Sequence, residues 1–274
     1  MDGAEGVVWG GGGVGAPWCI IGYPMARKYL QTHEIADAVD VHVNTVRLYE
    51  EWGFIAPVPR SDTGYRLYTR THLEQMRLAR LALQWPYPGG KQVVLDLVAA
   101  AVAGDLGMAM ELAYLYLANV RRERTLAEAA IEFLERWARG QVLDTSRRTM
   151  TITQVADHLG VTVDQLRNWE RNGLLTVPRD PETGYRLYGA REIGRLRVVR
   201  MLRQAGYSMM AILRMLLRFD AGQIELLREA LDTPGENEDI QTVADRWLTT
   251  LGEQEKRAQA VIKQVATMID LAQK

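Results

Sequence analysis

Apolar residues recur along most of the chain at intervals of three and four, the period of helices that bury one face. Between residues 151 and 171 this pattern resolves into two short helices. Val155, Ala156 and Leu159 share one face of the first, Gly160 supplies a tight turn, and the second buries Val163, Leu166 and Trp169. Thr151 with Gln154, and Thr162 with Gln165, form two capping boxes that start them, the hydroxyl and the amide satisfying backbone N–H groups that the first turn leaves unpaired. The period then changes. After Gly173-Leu174-Leu175 come Pro178, the turn Asp180-Pro181-Glu182-Thr183-Gly184 and the alternating run Tyr185-Arg186-Leu187-Tyr188, which predict a tight two-stranded wing with arginine and tyrosine outward. Two longer stretches keep the 3,4 spacing and are candidate coiled-coil faces. One runs through Met110, Ala113, Leu117, Val120, Arg124, Ala127, Ile131, Leu134 and Ala138. The other runs through Ile240, Ala244, Trp247, Leu251, Gln254, Ala258, Val261, Val265, Met268 and Ala272.

The short-helix unit occurs twice. Val46-Arg47-Leu48-Tyr49-Glu50 reappears as Leu166-Arg167-Asn168-Trp169-Glu170, and Thr63-Gly64-Tyr65-Arg66-Leu67-Tyr68 as Thr183-Gly184-Tyr185-Arg186-Leu187-Tyr188, both at an offset of 120. The same offset pairs Gly53 with Gly173, Ile35 and Ala36 with Val155 and Ala156, and Arg77 with Arg197. A register kept over about fifty residues without gaps reads as duplication. The first copy repeats the helical faces with Ile35, Ala36 and Val39, then Val43, Val46 and Tyr49, although Asp40 stands in place of the turn glycine and the capping boxes are weaker.

Two short helices around a turn also occur in ordinary helical cores, so the wing behind them is the more specific signal. Together they form a winged helix-turn-helix, whose second helix enters a major groove while the wing reaches phosphate oxygens. The candidate contacts to double-stranded DNA are Thr45, Arg47, Tyr49, Tyr65, Arg66 and Tyr68 in the first copy. In the second they are Gln165, Arg167, Trp169, Tyr185, Arg186 and Tyr188. Asn44 and Thr45 face Asp164 and Gln165 across the repeat, so the copies are expected to prefer different half-sites.

A formal charge of −1 looks unlike a nucleic-acid binder until it is resolved locally. Residues 147–218 hold 13 Lys+Arg against 6 Asp+Glu, and residues 25–83 hold 8 against 7. A basic surface is needed only where the protein meets the duplex. Every apolar run is broken by charges well short of the roughly 20 residues of a membrane span, which predicts a soluble protein without a membrane partner. The single cysteine, Cys19, excludes an internal disulfide and fits a reducing cytoplasm. The four dispersed histidines offer no metal-ligand spacing, and no cofactor is expected. No carboxylate pair, Ser-His-Asp set or Cys-His pair can be placed around a common pocket, so catalysis is not expected. Residues 1–24, with Gly10-Gly11-Gly12-Gly13-Val14-Gly15 and no period, are expected to be a disordered extension. Ala16-Pro17-Trp18 follows where a phosphate loop needs Gly-Lys-Ser/Thr, and a basic n-region for secretion is missing.

The helix-turn-helix, the Arg-x-x-Glu helix and the Gly-Tyr-Arg-x-Tyr wing resemble those of the MerR-type regulators, in both copies. In the second copy the resemblance continues from Arg191-Glu192-Ile193 through Leu202-Arg203-Gln204-Ala205-Gly206-Tyr207-Ser208-Met209, similar to the family's third helix and its turn into a fourth. It covers about 25 to 100 and 149 to 218. The resemblance implies a dimer held by an antiparallel pair of long helices. Here that becomes a mainly α fold with small β-wings, two winged helix-turn-helix domains joined by long helices in an antiparallel coiled coil, a single-chain pseudo-dimer. It also implies that promoter DNA is kinked so that RNA polymerase engages both elements, under the control of a metal, an oxidant or a hydrophobic compound.

With no cysteine pair near the long helices, thiolate sensing is not expected, and an aromatic or hydrophobic small molecule is the remaining effector class. Trp85, Tyr87, Tyr114, Tyr116, Trp137 and Trp247 either line a pocket for it or fill the core between the long helices. One departure from the family is Trp85-Pro86-Tyr87-Pro88-Gly89-Gly90, in the place of Ala205 to Met210, where prolines forbid a continuous helix. The expected units after the extension are a first winged domain over 25–104, a long helix and linker over 105–146, a second winged domain over 147–219 and C-terminal helices over 220–274. A cytoplasmic, nucleoid-associated protein is expected, monomeric as a pseudo-dimer, with further dimerisation through the long helices left open. Two other readings of the duplicated fold are a drug-sequestering resistance protein and an architectural or recombination accessory factor.

Overall fold

In the computed structural model, residues 29–141, 149–233 and 243–273 are described. The expected disordered extension over 1–24, and Ile240 of the C-terminal seam, lie outside them. The first half runs α1 (Thr32–Ala38), α2 (Val43–Glu51), α3 (Arg70–Ala82), α4 (Lys91–Val102) and the long α5 (Leu106–Ala138). The second runs α6 (Ile152–Leu159), α7 (Val163–Arg171), α8 (Ala190–Gln204), α9 (Met209–Asp220), the short α10 (Leu227–Asp232) and the long α11 (Trp247–Ala272).

Both predicted capping boxes of the second copy form. Gln154 Oε1 accepts the Thr151 N–H at 2.9 Å, and Gln165 Oε1 accepts the Thr162 N–H at 2.8 Å. The first copy reaches the same end with other chemistry: Glu34 Oε2 accepts the Gln31 N–H at 2.7 Å, and His42 Nδ1 accepts the Asn44 N–H at 3.2 Å. The turn between the paired helices is left-handed in both, at Gly160 (φ 61°) and at Asp40 (φ 52°). Aspartate is one of the few residues that tolerate this conformation, which explains how the first copy keeps the turn without glycine.

Ile35, Ala36, Val46, Ile55, Tyr68 and Met76 close one small core under α1 to α3. A larger core in the second half gathers Val155, Leu166, Trp169, Leu196 and Ile212 with Ile131 and Leu134 of α5. A third joins Leu97 and Val98 of α4 and Ala113, Leu117 and Val120 of α5 to Ala258, Val261 and Val265 of α11. The helices α5 and α11 lie antiparallel. Leu106, at the start of α5, lies near Met268 and Leu271, at the end of α11, and Leu251, near the start of α11, joins the core holding Ile131 and Leu134. Of the seam read from the sequence, Ala113, Leu117, Val120, Ala127, Ile131 and Leu134 of α5 and Leu251, Gln254, Ala258, Val261, Val265 and Met268 of α11 are buried, whereas Ala272 is exposed and Arg124 sits at the edge, where it pairs with Glu255 at 2.8 Å.

The long helices also cross over. Trp137, at the end of α5, lies against α8, where a Cβ at Gly194 would come within 2.8 Å of its Nε1, and packs on Phe219 of α9 at 4.4 Å between ring centroids. Reciprocally, Gln264 of α11 donates to Glu74 of α3, to Oε2 at 2.7 Å and to the backbone O at 3.2 Å. Positions 74 and 194 are one place in the repeat. Each half thus leans its long helix on the third helix of the other, and the molecule is a pseudo-dimer within one chain.

Candidate nucleic-acid interface

Each wing is a minimal ribbon. In the first, the Ser61 N–H donates to Tyr65 O and the Leu67 N–H to Pro59 O, both at 2.8 Å. In the second, Asp180 donates to Tyr185 O at 2.8 Å and Leu187 to Pro178 O at 2.9 Å. The return strand then pairs with the segment entering the first helix of the unit, Tyr68 with Leu30 and Tyr188 with Met150. This ties the wing root to the helix-turn-helix.

At the tips, Tyr65 and Tyr185 stand 76% and 74% exposed, as expected of groups that reach outward. The arginines beside them do not. Arg66 Nε donates to Glu50 Oε2 and Arg186 Nε to Glu170 Oε2, each at 2.7 Å, so both guanidinium groups turn inward onto the recognition helices α2 and α7. A carboxylate one helical span away captures the cation that the alternation of the ribbon would otherwise expose. Each pair holds its wing at a set distance from its recognition helix.

Three other candidate contacts are also core. Tyr68, Tyr188 and Trp169 are buried, because the wing root and the inner face of α7 close over them. Burial, and next the charge of Glu50 or Glu170, pushes both tyrosine phenols above their usual range, so they stay neutral. Tyr49 is half-buried, edge-on to Phe54 at 5.5 Å. Arg47, Gln165 and Arg167 are exposed and Thr45 partly so. Gln165 spends its carbonyl on the cap and keeps its amide for donation, while Arg167 makes only a long, exposed pair of 3.4 Å with Asp164. Between α7 and the wing, Asp164, Arg167, Glu170, Arg171 and Arg186 line an open cleft.

Two further cations belong to this surface. Arg60 and Arg179 lie exposed on the outgoing strands, bridged to Arg66 and Arg186, and each donates to the carbonyl of the turn glycine, Gly64 or Gly184. A gapless comparison hides them. Val58-Pro59-Arg60 recurs as Val177-Pro178-Arg179 at an offset of 119, not 120, because the second turn is one residue longer and the strand before it one shorter. The motif itself was the missed signal.

The outer faces of the recognition helices differ more than their first turns. Exposed Leu48, Glu51 and Trp52 of the first copy stand at the places of Asn168, Arg171 and Asn172 in the second. The first offers a large apolar surface and a negative charge where the second is polar and basic.

The six aromatic candidates do not converge. Trp85 and Tyr114 are exposed, at 61% and 58%. Tyr116 is fully buried and donates to Gln254 Oε1 at 2.8 Å, and Tyr87 packs partly buried on the same core. Trp137 and Trp247 belong to the core of the second half, where the Trp247 Nε1–H bonds Ala205 O at 2.7 Å. Tyr87, Tyr116, Trp137 and Trp247 fill helix contacts in two separate cores, while Trp85 and Tyr114 face outward. Among the described residues, no group of three or more His, Cys, Asp or Glu side chains is placed to hold a metal ion, and no helix is long and apolar enough to cross a membrane.

Comparison with known proteins agrees with the repeat. The family described as MerR HTH family regulatory protein matches at residues 30–84 and again at 150–218. The nodulation protein NolA of Bradyrhizobium elkanii is 34% identical over 86 residues, covering 31% of this chain and 39% of that protein. The HTH-type transcriptional regulator CueR of Escherichia coli O6:H1 is 39% identical over 51 residues, 19% of this chain and 38% of the relative. The mercuric resistance operon regulatory protein of Bacillus cereus is 32% identical over 65 residues, 24% and 49% respectively. Each match spans less than half of the relative's own length. No solved structure matches the chain significantly. Two separate matches to one family, each on a winged unit, show that this chain carries the helix-turn-helix domain of the MerR family twice.

Proposed function

We propose that the protein regulates transcription by binding double-stranded promoter DNA, with α2 and α7 in two major grooves and the wings along the flanking backbone. The observation that carries this reading is the repeated pair of Arg66 with Glu50 and Arg186 with Glu170, which sets the same wing-to-helix geometry on both halves of one rigid scaffold. Two half-sites must be met at fixed spacing, and the crossed long helices supply it. Relatives described as a transcriptional regulator and as an operon regulatory protein favour the same role. In this reading the bound protein bends the promoter, at a cost of about 1–6 kcal/mol, so that RNA polymerase engages it in the cytoplasm. The effector is a hydrophobic small molecule rather than mercury, since the chain has a single cysteine.

Selection of duplexes from a random pool by the full chain tests the reading. A two-part site should emerge, and Arg171→Ala or Arg179→Ala should weaken binding to all sequences and lower the salt slope by about 1 each. Failure to prefer any duplex over random DNA would overturn it. Transcription with purified polymerase separates it from an architectural role. Leu48, Glu51 and Trp52 favour a second reading, in which the first half is turned from phosphate toward sequestering a small molecule. Tight ligand binding without duplex preference would mark that case.

A further inference from the structure

The crossover that joins the halves is plugged on one side and open on the other. In the second half the indole of Trp137 covers Gly194 and packs on Phe219. In the first half the same places are Glu74 and, with α4 and α9 aligned end to end, Ala101, and the long helix that arrives there presents Gln264, a smaller side chain. Beside that contact a hollow of about 280 Å³ remains, between the end of α4, the start of α5, α3 and the last turn of α11. Its walls are Ala101, Val102, Leu106, Met268 and Leu271.

Two polar side chains, Glu74 and Gln75, are buried in its floor, at 8% and 3% exposure, and both are already engaged. Glu74 pairs with Arg77 at 2.8 Å and accepts from Gln264 at 2.7 Å. Gln75 Oε1 accepts the Ala56 N–H at 2.9 Å, while its amide faces the Ala101 and Val102 carbonyls at 3.4 and 3.5 Å. A ligand charge would find no partner there, whereas an apolar body would displace little bound water. The corresponding groove of the second half is unlike it, since Arg191, Glu192, Arg195 and Asp220 line it and Arg195 closes on Asp220 with two bonds of 2.6 and 2.8 Å.

We propose that the hollow in the first half binds an uncharged, largely apolar small molecule about the size of a two-ring aromatic, and that it is the effector site. The effector role rests on the regulator reading above; occupancy of the hollow does not. A ligand there sits between α11 and α3, at the contact through which the second half holds the first recognition domain, so occupancy biases the angle between them.

The test uses the full chain with ¹³C-labelled methionine methyl groups, titrated with indole and naphthalene in the absence of DNA. The Met268 signal should move saturably while Met150, Met209 and Met215 stay in place. Ala103→Phe and Ala272→Phe, at the rim, should each abolish the shift while leaving the other methionine signals unchanged, which shows that the fold persists. Naphthoate and naphthylmethylammonium should bind at least about tenfold more weakly. A Met268 signal that never saturates, a shift that survives both variants, or equal binding of the charged compounds overturns the site. Naphthalene should also change the duplex affinity of the parent and not of the variants, and a Met268 shift without that change overturns the effector role. Absence of any duplex binding instead sinks the regulator reading, and Met268 still decides the hollow.

Discussion

The carboxylate of Glu170 accepts the Nε–H of Arg186 at 2.7 Å, and sixteen residues separate the two in sequence just as they separate Glu50 from Arg66. Only Nε is used in each bond, and Arg186 also lines the open cleft beside α7. The pair therefore positions a wing and can lend it a charge.

If positioning dominates, Glu170→Ala should weaken duplex binding even though it removes a negative charge from a DNA-facing surface. Arg186→Ala should weaken it too, and the double variant should be less impaired than the sum of both, with a coupling of about 1 kcal/mol. Binding isotherms for the four proteins at one salt concentration measure this. Tighter binding by Glu170→Ala would show that the carboxylate merely repels phosphate.

The contrast between the recognition helices gives a second expectation. Leu48→Asn, Glu51→Arg and Trp52→Asn, made together, convert the outer face of α2 to that of α7. Affinity for non-specific duplex should rise and the salt slope steepen by about 1 for the added cation. An unchanged slope would mean that this face does not approach the backbone.

Trp137 anchors the second half to the long helix of the first. Trp137→Ala should cost about 3 kcal/mol, near the low end for such truncations because the ring is only partly buried, as read from the urea midpoint. Gly194→Ala should destabilise as well, since its Cβ would meet the indole at 2.8 Å.

Acid should loosen the pairing of the long helices. Hydrogen bonds from Arg121 and then Arg124 hold the Glu255 carboxyl below the usual carboxylate range, and the Arg195 hydrogen bond does the same for Asp220. A depressed folded value means that the contribution is complete above the unfolded-state value, about 4 for these groups, and fades as the pH falls through the folded one. Melting temperature should therefore decline below about pH 4, and Glu255→Gln should flatten part of that decline. The effect is small, because the arginine partners of Glu255 are exposed to solvent.

Much of the fold was legible because its signals are local. The capping boxes at Thr151 and Thr162, the turn at Gly160 and the apolar seam from Ala113 to Leu134 each depend on residues within one or two helical turns, and all appear in the structure. What the sequence hid depends on distant partners. Alternation along the wing says that Arg186 and Tyr185 point to opposite sides, and it does not say that Glu170 waits on one of them. Arg60 and Arg179 were masked by two compensating one-residue shifts. The aromatics gave a composition without a location: Tyr116 and Trp247 are each fixed by a single bond to an element far along the chain, Gln254 and Ala205, and these bonds send them to different cores.

The reciprocal lean of each long helix on the opposite half means that the two winged units meet within one chain. Ordinary two-chain assemblies lose partners on dilution, and any change in one gene alters both binding surfaces at once. Here the pairing of the two winged units is unimolecular, so that pairing does not weaken on dilution. Mutation can also reshape one reading head while the other keeps its target, which frees the pair to recognise a lopsided address on the genome.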